Sequence, residues 1–284
     1  MMNKKIKILG VFIRPNSPEL KTQCEEIFKL FKSAWTEILI ESKSADMIKH
    51  KGYDLKEILK KADALLSIGG DGTLISCVRN SIKSNLPVFG LNLGRLGFLA
   101  AVTLENLDEF IPILANGEYV LDSHRLLEAK LYSNKKNKFY ALNDILITKK
   151  DSASLINVNV FINNECINEI RADGLIIATP TGSSAYNISA GGSLVYPHCK
   201  NILLTPICPH SLTQRPMVLD DEMSLEFTIE SQRCEILIDG QERLDFKIND
   251  RLLVKASIYT QLIQHPNRSY FAMLKEKFNW GGVV

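Results

Sequence analysis

The chain is short of the features that would let composition alone assign a function. Its six cysteines (24, 77, 166, 199, 208, 234) include no Cys-x-x-Cys pair, and its five histidines (50, 124, 198, 210, 265) no His-x-x-x-His pair. Zinc-type spacing is therefore missing, and a chain long enough to bury a large core does not need disulfides, so no dedicated protein metal cage is expected. Long apolar runs are missing too. None is longer than Phe98-Leu-Ala-Ala-Val102, which falls far short of the roughly 20 residues that a spanning helix needs, so no membrane partner is expected. Lys4, Lys5 and Lys7 precede Ile8–Ile13, but that apolar part is too short for a signal peptide, and Arg14-Pro15 follows without a small-residue cleavage site. A cytoplasmic protein is expected. Charge of one sign is lacking as well: 34 Lys+Arg against 32 Asp+Glu leave +2, which argues against a nucleic-acid surface. Neither Gly-Lys-Ser/Thr of a P-loop nor Gly-x-Gly-x-x-Gly of a dinucleotide turn is present.

What is there is periodicity. Apolar residues are 45% and charged residues 23% of 284, an ordinary globular balance with length for about two domains. Up to about residue 115, short apolar runs (Ile6–Ile13, Ala64–Ile68, Pro87–Asn92) alternate with helical spacing (Leu20, Cys24, Ile27, Phe31, Trp35, and again Leu74–Ser81), which predicts a parallel sheet packed by helices. Ser17 is the expected N-cap of the first helix, and Asp54 with Glu57 a capping box for another. Beyond about residue 120 the period becomes two. Ile156, Val158, Val160 and Ile162 alternate with polar or outward residues, as do Leu225, Phe227 and Ile229. Cys234–Ile238 with Asp239-Gly240 reads as a hairpin, Leu252–Tyr259 as a further strand and Arg268–Phe278 as a helix. The expected fold class is an α/β N-terminal domain (1–118) followed by an all-β, sandwich-like C-terminal domain (119–265), with a last segment (266–284) packing back on the first domain.

Four features carry chemistry. Ser67-Ile-Gly-Gly-Asp-Gly-Thr73 lies between a strand and a helix, where glycines admit a phosphate and the helix start offers free N–H groups. Asp71 would repel that phosphate unless a cation intervenes or the carboxylate takes a proton; a plain glycine turn with Asp71 as cap is the alternative. Arg171 to Tyr186 runs from a buried strand into Thr-Pro-Thr-Gly-Ser-Ser-Ala-Tyr, a donor-rich loop suited to a ribose or pyrophosphate, or else a Ser/Thr turn. Asn143-Asp144 puts two polar side chains inside an apolar strand, which a bulge would also explain. Asp239-Gly240-Gln241 is most simply hairpin chemistry.

Together these residues resemble the NAD kinase family. The matching elements are Gly69-Gly-Asp-Gly-Thr73, Asn92-Leu-Gly-Arg-Leu-Gly-Phe-Leu99, Asn143-Asp144, Arg171–Tyr186 with Ser189-Ala-Gly-Gly192, Pro209-His-Ser-Leu212 with Arg215-Pro216, and Asp239-Gly-Gln241, in the family's order and over nearly the whole chain. The resemblance implies a Rossmann-like parallel sheet in the first domain and ATP-dependent phosphorylation of the adenosine ribose 2′-hydroxyl of NAD, giving NADP, with magnesium arriving on ATP. It makes Asp71 the proton acceptor, and Gly69, Gly70, Gly72 and Thr73 the phosphate-facing turn. It places Asn143 and Asp144 on the ribose, and Arg171 and Asp173 on the nicotinamide side. Ala178, Thr181, Gly182, Ser183, Ser184, Ala185, Tyr186 and Gln241 would surround the adenosine. Asp144 stands where the family often has Glu, and Ser154 where many members carry a basic residue. Assembly as a homodimer or homotetramer is implied as well. A lipid kinase sharing the glycine turn, or an NAD-binding sensor without turnover, are the alternatives.

Overall fold

The computed structural model describes residues 3–34, 36–94, 97–100, 102–134, 138–150, 155–230 and 234–280; Trp35, Arg95, Leu96 and Ser154 lie outside the described residues. The chain divides into two units, Met1–Asp122 with Thr260–Val284, and Ser123–Tyr259.

In the first unit, strands β1 (Ile8–Ile13), β2 (Glu37–Glu41), β3 (Gly52–Tyr53), β4 (Ala64–Ile68), β5 (Val88–Asn92) and β6 (Val102–Thr103) alternate with helices α1 (Lys21–Ser33), α2 (Ser42–Ile48), α3 (Leu55–Lys61), α4 (Asp71–Ser81) and α5 (Leu107–Asn116). The strands pair in parallel in the order β5-β4-β1-β2-β3. Every residue of β4 and β5 is buried, which is why each reads as an unbroken apolar run rather than an alternation. Phe31 of α1, Phe89 of β5 and Phe110 of α5 pack in series, at ring-centroid separations of 6.4 and 5.8 Å. Each such fully buried ring stabilises the unit by about 1.5–3 kcal/mol. The order of strands reverses direction between β1 and β4. Their carboxyl ends, Ile13 and Ile68, therefore open a crevice at the switch point, where open α/β sheets bind ligands.

Several local expectations are corrected here. The Ser17 side chain makes no cap bond: its oxygen accepts from Arg14 Nε at 2.7 Å, Pro18–Leu20 form a 3-10 turn, and α1 begins at Lys21. Asp54 does cap α3 by accepting from Lys56 N–H at 2.8 Å, but Glu57 pairs with Lys61 and closes no box. The helix expected from Leu74 starts three residues earlier, at Asp71.

The second unit is antiparallel. One sheet holds β10 (Ile156–Ile162), β11 (Glu165–Ala172), β15 (Leu225–Ile229), β18 (Leu252–Gln264) and the β7 (Val120–Leu131)–β8 (Phe139–Ala141) pair. The other runs β14 (Met217–Asp220), β13 (Asn201–Ile207), β12 (Gly174–Ala178), β9 (Asp144–Lys149), β16 (Cys234–Ile238), β17 (Glu242–Phe246). The alternation read in sequence fills one core from both sheets: Val158, Val160, Leu225 and Phe227 meet Ile145, Ile177, Ile236 and Ile238. The stretch 139–149 is not one strand; it breaks at Leu142-Asn143 between β8 and β9.

Strand β18 outruns its predicted end at Tyr259. From Thr260 it belongs to the first unit, where Leu262 aligns in parallel with Val88 of β5. The change of unit thus falls inside a continuous strand, where periodicity alone places it at 265/266. Helix α7 (Tyr270–Phe278) follows, burying Met273 and Leu274 while Phe271 stays 64% exposed.

Candidate functional site

Strand β4 delivers the glycine turn. Gly69 N–H donates to Leu91 O at 2.9 Å, and the extended Gly70 stands before the first residue of α4, its carbonyl accepting from Thr73 and Leu74 at 3.0 and 3.3 Å. Asp71 is thereby the first residue of a helix, where a negative charge is favoured by the free N–H groups. Its carboxylate does not cap that helix. Oδ2 accepts from Phe98 N–H at 2.8 Å, and Oδ1 from Leu99 at 3.1 Å and Ala100 at 2.8 Å. Three consecutive backbone donors hold it in one orientation. Gly97 makes that approach possible, since a Cβ there would sit 2.0 Å from Asp71 Oδ1. A cavity of about 470 Å³ lies against the turn, lined by Arg14, Gly69, Gly70, Asp71, Asn92 and Lys277 among others. A second, of about 700 Å³, is lined by Thr73, Ser76 and Asn80 of α4 with Asn16, Ser44 and Asp54.

In the second unit, antiparallel pairing gathers residues distant in sequence at one end of three adjacent strands. Asp144 opens β9, opposite Ala178 at the end of β12, and Asp239 follows the end of β16. Asp239 takes φ 50° and Gly240 φ 65°, the hairpin turn that sequence foresaw. It does more than turn. The Asp239 carboxylate accepts from the N–H groups of Leu142 (3.0 Å), Asn143 (2.8 Å) and Asp144 (3.1 Å), so it closes the break between β8 and β9. Thr179 clasps the same break from the other side, its hydroxyl donating to Leu142 O at 2.6 Å and its N–H to Asn143 O at 2.9 Å. Gly182 packs so tightly there that a Cβ would lie 2.1 Å from Asn143 O.

The result is a buried carboxylate kept from water. Asp144 is 7% exposed, and its pKa is pushed up from 3.8 to about 7, first by burial and then by the charge of Asp239. Among the described residues neither its carboxylate nor the Asn143 side chain meets a hydrogen-bond partner, so both remain available to a ligand hydroxyl.

The hydroxyl-rich stretch is folded rather than open. Thr181–Ser184 is a 3-10 turn and Tyr186–Ser189 a helical turn, α6. Thr181 Oγ1 shares a 2.8 Å hydrogen bond with His124 Nδ1, Ser183 Oγ is engaged by Pro180 O and Val195, and Ser184 Oγ reaches Thr181 O at 3.3 Å. Ala185 is half-buried, Tyr186 46% exposed and Gln241 exposed. Arg171 and Asp173 do not join this end. Asp173, just before β12, lies about 16 Å along that strand from Ala178 and pairs with Lys149 at 2.5 Å, while Arg171 is exposed near the end of β11. Sequence reading missed the clasping roles of Asp239, Thr179 and Gly97, and also missed His124. The stretch Leu142-Asn143-Asp144 gives no local sign that its N–H groups are capped from nearly a hundred residues away.

Comparison with known proteins bears on both units. Residues 9–119 match the ATP-NAD kinase N-terminal domain and residues 142–265 the ATP-NAD kinase C-terminal domain. The chain is 45% identical to the NAD kinase of Helicobacter hepaticus over 98% of each chain. It is 42% identical to that of Sulfurimonas denitrificans over 99% of this chain and 100% of the other. In fold it is similar to yeast NADH kinase complexed with NADH, with a TM-score of 0.90 at 24% identity over 99% of this chain and 90% of the other. It is also similar to an NAD kinase from Archaeoglobus fulgidus in complex with ATP, with a TM-score of 0.75 at 23% identity over 96% and 98%.

Proposed function

The chain belongs to the NAD kinase family, and from that membership we propose how its residues share out the work. It phosphorylates NAD with ATP as donor, giving NADP and ADP; the lipid kinase and the sensor without turnover are set aside. Asp71 accepts the proton of the ribose 2′-hydroxyl as the new P–O bond forms. Oδ2 carries one N–H bond where Oδ1 carries two, so a lone pair of Oδ2 is open to that hydroxyl. A positioned base of this kind is worth about 10²–10⁴-fold; alignment and charge neutralisation supply more.

Gly69, Gly70, Gly72 and Thr73 hold the transferring phosphate, and Arg14 and Lys277 line the cavity of Gly69 and Gly70 as cations. The larger cavity beside α4 suits the donor's nucleoside. ATP enters as its magnesium complex. Among the described residues no group of three or more His, Cys, Asp or Glu could hold a metal ion. The single carboxylate at the turn suits an ion coordinated mainly by phosphate and water, whose charge offsets the repulsion between Asp71 and phosphate.

In the second unit Asn143 and Asp144 hold the ribose, and Ala178, Thr181, Gly182, Ser183, Ser184, Ala185, Tyr186 and Gln241 surround the adenosine. Asp173, before the far end of β12, and Arg171, near the end of β11, serve the nicotinamide side. We assign homodimer or homotetramer formation to the exposed Met217 and Val218 of edge strand β14 and Leu212 before it. No helix of the described residues is long and apolar enough to cross a membrane, and six free thiols suit a reducing cytoplasm.

The observation that carries this reading is the Asp71 carboxylate held by three backbone donors beside the glycine turn. The test is purified protein with MgATP and NAD, assayed for NADP. Asp71→Ala should lose about 10²-fold or more in kcat with NAD affinity little changed. An Asp71→Ala enzyme turning over at the wild-type rate would refute the assignment.

A further inference from the structure

Arg268 follows β18, close before α7, and is a half-buried cation that the reading above leaves without a role. Its guanidinium donates through Nη2 to the carbonyl oxygen of Phe98 and contacts the Met273 sulfur at 3.0 Å, while Nη1 donates to Gln264 Oε1. Burial opposes its charge, and the carboxylates of Asp122 and Asp71 act in the other direction.

Phe98 is therefore held at three points. Its N–H donates to Asp71 Oδ2 at 2.8 Å, its carbonyl accepts from Arg268, and its ring packs 5.7 Å from Phe278 of α7, which stacks in turn on Trp280 at 5.4 Å. The carbonyl is the informative point. Phe98 C=O and Leu99 N–H belong to one planar peptide unit and point in opposite directions across it. A donor fixed on that oxygen fixes the direction of Leu99 N–H, which donates to Asp71 Oδ1 at 3.1 Å. Were packing alone required, the ring contacts would hold the turn; a carbonyl gripped by a guanidinium sets a rotation that ring packing leaves free.

We propose that Arg268 is a positioning residue for phosphoryl transfer, fixing the Phe98–Leu99 peptide and through it the orientation of the Asp71 carboxylate. The proposal rests on the reading of Asp71 as proton acceptor. It adds to the site a residue beyond Asp239-Gly-Gln241, the last of the site motifs named in the sequence.

The test is steady-state kinetics on the full chain for Arg268→Met, Arg268→Lys, Asp71→Ala and the Arg268→Met/Asp71→Ala double variant. Arg268→Met should lower kcat about 10–100-fold with KM for NAD and for ATP within about threefold of wild type. Arg268→Lys, which keeps the charge but loses the fork, should recover part of that loss. In the Asp71→Ala background the Met substitution should change kcat no further, because the carboxylate it orients is gone. A full wild-type kcat in Arg268→Met overturns the proposal. So does a loss of equal size with and without Asp71, which is what a merely structural role gives. If Asp71→Ala alone keeps wild-type turnover, it is the acceptor assignment that fails, a distinct outcome. Should Arg268→Met not fold, Arg268→Lys decides: reduced kcat with unchanged KM and coupling to Asp71 supports the role, and wild-type kcat overturns it.

Discussion

Two aspartates do the same physical job in separate parts of the chain, and neither does it where its sequence neighbourhood suggests. Asp71 and Asp239 each accept three consecutive backbone N–H groups, from Phe98–Ala100 and from Leu142–Asp144. A carboxylate can do this and an amide cannot, since Asn would present an NH₂ group to at least one donor. Asp71→Asn should therefore destabilise the folded protein by about 1–3 kcal/mol besides losing turnover. Thermal melts check this, and an unchanged midpoint would rule out the three-donor clasp. Asp144 is the opposite case, a carboxylate that finds no donor. Its pKa, raised from 3.8 to about 7, means that the folded protein holds a proton which the unfolded chain has released, between about pH 4 and 7. Stability from this group falls as pH rises across that window and is level above it. Asp144→Asn removes the dependence, so its melting temperature relative to wild type should be higher at pH 8 than at pH 5; an equal difference at both would contradict the burial argument. Asp71, Asn143 and Asp144 could be singled out in the sequence because they are polar where their surroundings are not. The partners that make them useful could not.

At the scale of elements, the sequence was most legible where one period governs a whole segment. Ala64–Ile68, Ile156–Ile162, Leu225–Ile229 and Cys234–Ile238 appear with the bounds that alternation or continuous apolarity gives. It was least legible at ends. The helix after the glycine turn starts at Asp71 because Gly70 supplies the first carbonyl, a matter of backbone conformation to which side-chain periodicity is blind. The break between β8 and β9 has the same character. Its backbone donors are satisfied by a hairpin tip, so the hairpin of β16 and β17 belongs to the site through Asp239. Asp239→Ala should leave three N–H groups without their acceptor, costing about 1–3 kcal/mol for each that stays buried. It should raise KM for NAD more than it lowers kcat, because Asn143 and Asp144 lose their anchoring while Asp71 does not. Steady-state kinetics with a melt as control checks this, and an unchanged KM would remove Asp239 from the site.

For the molecule as a whole, the first unit is completed by residues that come last. Leu262, Ile263, Met273 and Leu274 are at most 5% exposed and lie beyond Tyr259. Four such side chains contribute about 6–12 kcal/mol, as much as a domain's whole margin of stability. A chain ending at Tyr259 should accordingly fail to give a cooperative melt of the first unit; a truncated protein melting like the full chain would show that the returning segment is dispensable. By itself the sequence determined the two architectures, the order of the motifs and the family, because periodicity and short fixed spacings are local and survive being read in one dimension. Which groups meet was decided only in three dimensions: Asp239 at the backbone of Asn143, Gly97 against Asp71, Arg268 on Phe98. Each of those contacts is a hydrogen bond or a close approach made by backbone atoms, and backbone atoms are the same in every residue, so no letter of the sequence announces them.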